Sequence, residues 1–102
     1  MAGSIDPGWV AAQLEGGPRD LAVRAREFIA EAGGVIDPGT LAAAGRRALN
    51  AAVGSSPDRR AALDLLAADA LVTLALAAVV ETEPDGLAQF ASALRHLEDP
   101  PA

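Results

Sequence analysis

Asp69 and Thr73, one helical turn apart, are the polar residues in this chain with the strongest claim on chemistry. They interrupt a run in which nothing else polar occurs between Leu65 and Glu81. On a helical wheel Leu65, Val72, Leu76 and Val80 flank Asp69, so the bulkiest apolar face of the run carries a carboxylate that Thr73 is placed to hydrogen-bond. An acid in such surroundings needs a partner. Its functional reading is a buried acid facing a pocket or an interface. Its structural reading is an ion pair with Arg24, Arg46 or Arg47, or simple exposure at a groove. The structural reading is preferred, because the acid has no evident chemical co-worker.

The other reactive residue types are scattered. His96, the only histidine, falls opposite the stripe Leu87, Phe90, Leu94 and Leu97 and next to Arg95, where solvation is expected. Carboxylate-bridged metal bundles need Glu-x-x-His pairs facing inward from several helices, and no such pair occurs, so no metal site is expected. Ser4, Ser55, Ser56 and Ser92 are present without a Gly-x-Ser-x-Gly elbow, and Ser56 is expected to cap a helix. Without any Lys a Walker loop is impossible, and Gly-x-Gly-x-x-Gly does not occur. Gly54-Ser55-Ser56-Pro57 is not the Asp-Ser-Leu that would bear a phosphopantetheine arm, so a carrier-protein reading fails too. No cofactor and no enzymatic activity are expected. Trp9 is of a type favoured at binding hot spots, but locking the first helix onto a core is its preferred role. Arg46-Arg47 and Arg59-Arg60 have the charge to clamp an anion, yet helical neighbours point about 100° apart. Solvating a surface or pairing with nearby acids is the expected use.

Composition narrows the class. The net charge is −6, and an acidic domain repels phosphate backbones, so nucleic acid is not an expected partner. Hydrophobic residues make up 51% of the chain and aromatic ones 3%. The apolar content is largely alanine, which favours close helix packing and a helical fold. Every basic residue other than His96 is Arg, as in a GC-rich bacterial genome. There is no Cys and hence no disulfide, thiolate or Cys-ligated metal. Residues 1–6 lack the regions of a signal peptide. The apolar run Ala70 to Val80 is short for a bilayer, and Asp64 and Asp69 interrupt its upstream extension. A cytoplasmic location without membrane insertion is expected.

Punctuation then places these residues on elements. Ile5-Asp6-Pro7-Gly8-Trp9-Val10 reads as a helix start, with Asp6 as N-cap, Pro7 at the first position, and Ile5 and Val10 as a hydrophobic staple. Ile36-Asp37-Pro38-Gly39-Thr40-Leu41 repeats the pattern, from similar capping chemistry rather than duplication. Gly16-Gly17, Gly33-Gly34 and Gly54 end helices, Ser56-Pro57 starts the fourth, Glu83-Pro84-Asp85-Gly86 separates it from a fifth, and Asp99-Pro100-Pro101 closes the chain. Helices are thus predicted at about 7–15, 18–32, 38–53, 57–81 and 86–98. The second carries Leu21, Ala25, Phe28, Ile29 and Ala32 on one face; the fifth carries Leu87, Phe90, Ala91, Leu94 and Leu97.

The expectation is a single all-α domain over 1–102 with short frayed ends at 1–4 and 99–102, a compact bundle of about five helices around a long, mostly apolar fourth. That helix has more apolar surface than a small bundle covers, so a homodimer through it, docking on an unidentified protein partner, is the expected function: a small interaction, regulatory or accessory subunit. The alternative is a small-ligand binder with an apolar cavity lined by Leu66, Leu74 and Phe90.

Overall fold

Asp6 and Asp37 start their helices as expected. The Asp6 Oδ1 accepts from the Gly8 N–H at 2.9 Å, and the Asp37 Oδ1 accepts from the Thr40 N–H at 2.7 Å. The computed structural model describes residues 5–54 and 56–96. The expected frayed ends, Ser4, Ser55, Leu97 and the closing Asp99-Pro100-Pro101 lie outside them. Within the described residues α1 spans Pro7–Leu14, α2 Arg19–Glu31, α3 Pro38–Gly54, α4 Arg59–Thr82 and α5 Leu87–Leu94, with a single 3-10 turn at Pro84–Gly86 before α5. None of these residues forms a strand. The chain is all-α.

Helix ends follow local chemistry. Gly16, Gly33 and Gly34 have positive φ of 87°, 115° and 80°, a region that only glycine enters without strain. The start of α4 differs from expectation. Its N-cap is Asp58, whose Oδ1 accepts from the Ala61 N–H at 2.9 Å, and Ser56 lies two residues before that cap. An ionised carboxylate is the better acceptor for the orphan amides of a first turn.

The two Ile-Asp-Pro-Gly segments lie side by side: the Ile5 N–H donates to the Ile36 carbonyl at 2.6 Å. Ile36 and Leu41 are both buried, and Val10 is buried above a half-buried Ile5, so both staples close onto the core. Trp9 packs partly buried against the same core, which is its structural use.

The core is built on α3 and α4, the most extensively packed pair, with α2 across both and α5 on α4. Small side chains allow this close approach. Ala42, Ala44 and Ala48 of α3 share one buried cluster with Ala67, Ala68, Leu71, Ala75 and Ala78 of α4, and Gly45 of α3 is buried too. A Cβ added at Gly45 would stand 3.1 Å from Val72 Cγ2 and 3.5 Å from Leu71 Cβ. Phe28 and Ile29 of α2 supply bulk where the alanines leave room. In α5 no residue is fully buried; Leu87, Phe90, Ala91 and Leu94 are half-buried. At about 1.5 Å per residue the 24 residues of α4 reach about 36 Å, against about 20 Å for the 13 residues of α2. α2 therefore cannot cover α4 along its length.

Candidate functional site

Among the described residues the buried acid is Asp64, only 1% exposed. It lies on the inner face of α4 above Ala67 and Leu71 and faces Arg24 of α2. Arg24 Nε donates to Asp64 Oδ1 at 2.6 Å and Nη2 donates to Oδ2 at 3.4 Å. Nη1 donates to Glu27 Oε1 at 3.3 Å, and the guanidinium lies 4.2 Å from the centroid of the Phe28 ring. This fork uses the planar geometry that distinguishes Arg from Lys. The hydrogen bond to Asp64 foremost raises the pKa of Arg24, burial opposes the rise, and Glu27 adds to it. Among the described residues every buried side-chain nitrogen and oxygen has a hydrogen-bond partner. The pair joins α2 to α4 and leaves no carboxylate oxygen open for chemistry.

Asp69 is not a buried acid; it takes the exposed alternative of its preferred structural reading, at a groove. It is exposed, and so is Thr73, whose Oγ1 donates to the Asp69 backbone carbonyl at 2.9 Å rather than to its carboxylate. Arg24, one of its expected partners, is committed to Asp64. The reason lies in which side of α4 faces inward. The packed arc holds Asp64, Ala67, Ala68, Leu71, Leu74, Ala75, Ala78 and Val79. A second apolar arc faces out: Leu65 is 54% exposed, Leu66 56% and Val80 52%, while Val72 and Leu76 are half-buried. The inner arc admits Leu71 and Leu74 but is otherwise mostly alanine, which lets the helices approach closely, while Leu65, Leu66 and Val80 are left outside.

Two open grooves flank this outward arc. The smaller, about 340 Å³, runs between α3 and α4 and is lined by Gly45, Arg46, Leu49, Leu65, Asp69 and Val72 among others. It places Asp69 and Arg46 on one surface. The larger, about 840 Å³, runs between the first turns of α2 and α4, with Val23, Leu63 and Leu66 among its lining and Arg19, Arg59 and Arg60 around it. Neither groove includes Leu74, which is buried in the core, or Phe90, which packs on the core from α5, so the expected cavity joining Leu66, Leu74 and Phe90 is not formed by them. His96 is exposed. Among the described residues no three His, Asp or Glu side chains gather as a metal ion requires.

By length and composition alone α4 is apolar enough to cross a membrane, with a mean hydropathy of 2.1 over its best stretch, longer than the Ala70–Val80 run considered above. Of that stretch, 44% is buried against the rest of the protein.

The sequence did hold a signal for the Arg24–Asp64 pair. Asp64, Ala67, Ala68, Leu71, Leu74, Ala75 and Ala78 recur at three- and four-residue spacing, the stripe of a packed face. Weighing side chains by bulk hides that stripe; weighing them by how closely helices approach reveals it. Compared with known proteins, this chain matches no family model, no curated protein and no solved structure.

Proposed function

We propose that this protein is a small non-enzymatic interaction subunit, cytoplasmic, which pairs with a second copy of itself through the outward face of α4 and in that form docks on a larger protein. One observation carries the reading: three large apolar side chains of the longest helix, Leu65, Leu66 and Val80, are more than half exposed. Contiguous exposed apolar surface of this kind marks interaction sites in soluble proteins.

The spacing on that face supports pairing with another helix. Ala62, Leu65, Asp69, Val72 and Leu76 alternate at steps of three and four, the seam of a two-helix coiled coil. A two-fold axis would set one such seam against its own copy. Asp69 then occupies a seam position where a polar residue fixes register at some cost in stability, and Arg46 on the same surface offers it a counter-charge.

The test is Leu65→Asp and, separately, Leu76→Asp, read by light scattering behind size exclusion with circular dichroism as the folding control. Both variants are expected as helical monomers where the native chain is a dimer. Leu65 is the cleaner site because it is more than half exposed. Variants with the same mass as the native chain would remove α4 as the interface.

A further inference from the structure

The groove between α2 and α4 has a charge unlike the rest of the molecule. Among the described residues four arginines line it, Arg19, Arg24, Arg59 and Arg60, against two acids, Asp20 and Glu27. These described residues carry a formal +2 in a chain of −6. Arg24 is turned inward to Asp64, while Arg19, Arg59 and Arg60 are exposed. Arg59 and Arg60 diverge on their helix, yet both line the groove, because it passes across the beginning of α4.

Stability of the helices does not account for these positions. Arg19 opens α2, and Arg59 and Arg60 open α4. A cation in a first turn opposes the helix dipole, whose positive end is there. Between the arginines the surface is apolar: Val23 is 52% and Leu66 56% exposed, and Leu63 is half-buried. From Arg19 to Glu27 and from Arg59 to Leu66 the groove follows about two turns of each helix, about 10–12 Å. An amphipathic helix that inserts apolar side chains at i, i+3 or i+4, and i+7 needs a floor of this length.

We propose that this groove receives an acidic amphipathic helix from the partner protein, its apolar face on Val23, Leu63 and Leu66 and its carboxylates toward Arg19, Arg59 and Arg60. The inference rests on the interaction reading above and names the chemistry of the partner; the groove meets the α4 seam at Ala62 but includes none of Leu65, Asp69, Val72 or Leu76. Charge complementarity selects the occupant: an acidic chain is repelled by most of this molecule and attracted to this face, which raises encounter rate and sets orientation.

The probe is a fluorescein-labelled peptide of about 20 residues with Leu at three- and four-residue spacing and Glu elsewhere, beside a counterpart with Lys for every Glu. Binding to the full chain is followed by anisotropy at ionic strengths of about 0.05 and 0.5 M. Saturable binding of the Glu peptide is expected, at least about tenfold tighter than the Lys peptide and weakened by salt. The double variant Arg59→Glu/Arg60→Glu is expected to weaken it about tenfold or more, and Leu66→Asp to weaken it as well. The matched variant Arg26→Glu/Arg47→Glu, whose exposed arginines line neither groove, is expected to change it little beyond the loss of overall charge. Equal binding of both peptides, no saturation by about 1 mM, or equal losses in the two double variants would each overturn the proposal. Mass by light scattering on the same samples separates the two readings. If Arg59→Glu/Arg60→Glu instead splits a native dimer, the groove is occupied by a second copy and the acidic-helix proposal fails; if the native chain is monomeric while the peptide binds, it is the α4 seam that fails.

Discussion

Removing Arg24 should harm this protein more than removing the acid it holds. In Arg24→Met the Asp64 carboxylate, 1% exposed, stays inside α4 without a counter-charge. Breaking a buried pair in that way costs about 3–5 kcal/mol. In Asp64→Leu the charge left behind is Arg24, whose side chain is 17% exposed and already bonded to Glu27 at 3.3 Å, so it keeps an ion partner at the surface. That loss is expected at about 1–3 kcal/mol. In the double variant Arg24→Met/Asp64→Leu both desolvation costs vanish, and stability should return to within about 1 kcal/mol of native or exceed it. A domain of this length holds about 5–15 kcal/mol in total, so the Arg24 variant alone would consume a large share. The assay is urea unfolding by circular dichroism at one fixed protein concentration, since any dimerisation makes apparent stability concentration-dependent. The expected coupling between the two sites is at least about 2 kcal/mol. Additivity within about 0.5 kcal/mol, or an Arg24→Met loss below that of Asp64→Leu, would refute the reasoning.

Three further outcomes follow from the packing. Gly45→Leu should destabilise by about 2 kcal/mol or more, because it forces α3 from α4 at their closest approach; Gly45→Ala should stay within about 1 kcal/mol of native, since better helix propensity offsets the displacement of the half-buried Val72. Thermal melts of the two variants check this, and equal melting temperatures would contradict it. Asp58→Ala should cost about 0.5–2 kcal/mol through loss of the α4 cap, while Ser56→Ala should leave the melting temperature unchanged. Val80→Asp should change the stability of the isolated chain by no more than about 0.5 kcal/mol, because the side chain is half exposed; a large loss under monomeric conditions would mean that face packs within the chain.

Much of the fold was legible because it rests on local chemistry. Asp6, Asp37, Gly16 and Gly33 announce helix ends through capping and positive φ, and these need no knowledge of the tertiary structure. The stripe Ala25, Phe28 and Ile29 is equally plain because its residues are both large and inward. The orientation of α4 was not legible in the same way. Both of its faces are apolar, and the choice between them depends on how near α3 comes, which Gly45 decides from another helix. Asp64 and Asp69 lie on different arcs of one helix, so the first is buried and the second exposed at a groove. The Arg24 partnership is likewise a tertiary fact: the sequence separates the pair by 40 positions.

The outward leucines of α4 either meet a second copy or face water, and the mass of the native chain distinguishes these directly. Light scattering behind size exclusion, across about a hundredfold dilution, is expected to show a species near twice the 10.3 kDa chain mass, with dissociation toward the dilute end and only there. A mass of one chain at every concentration would contradict α4 as a self-pairing surface.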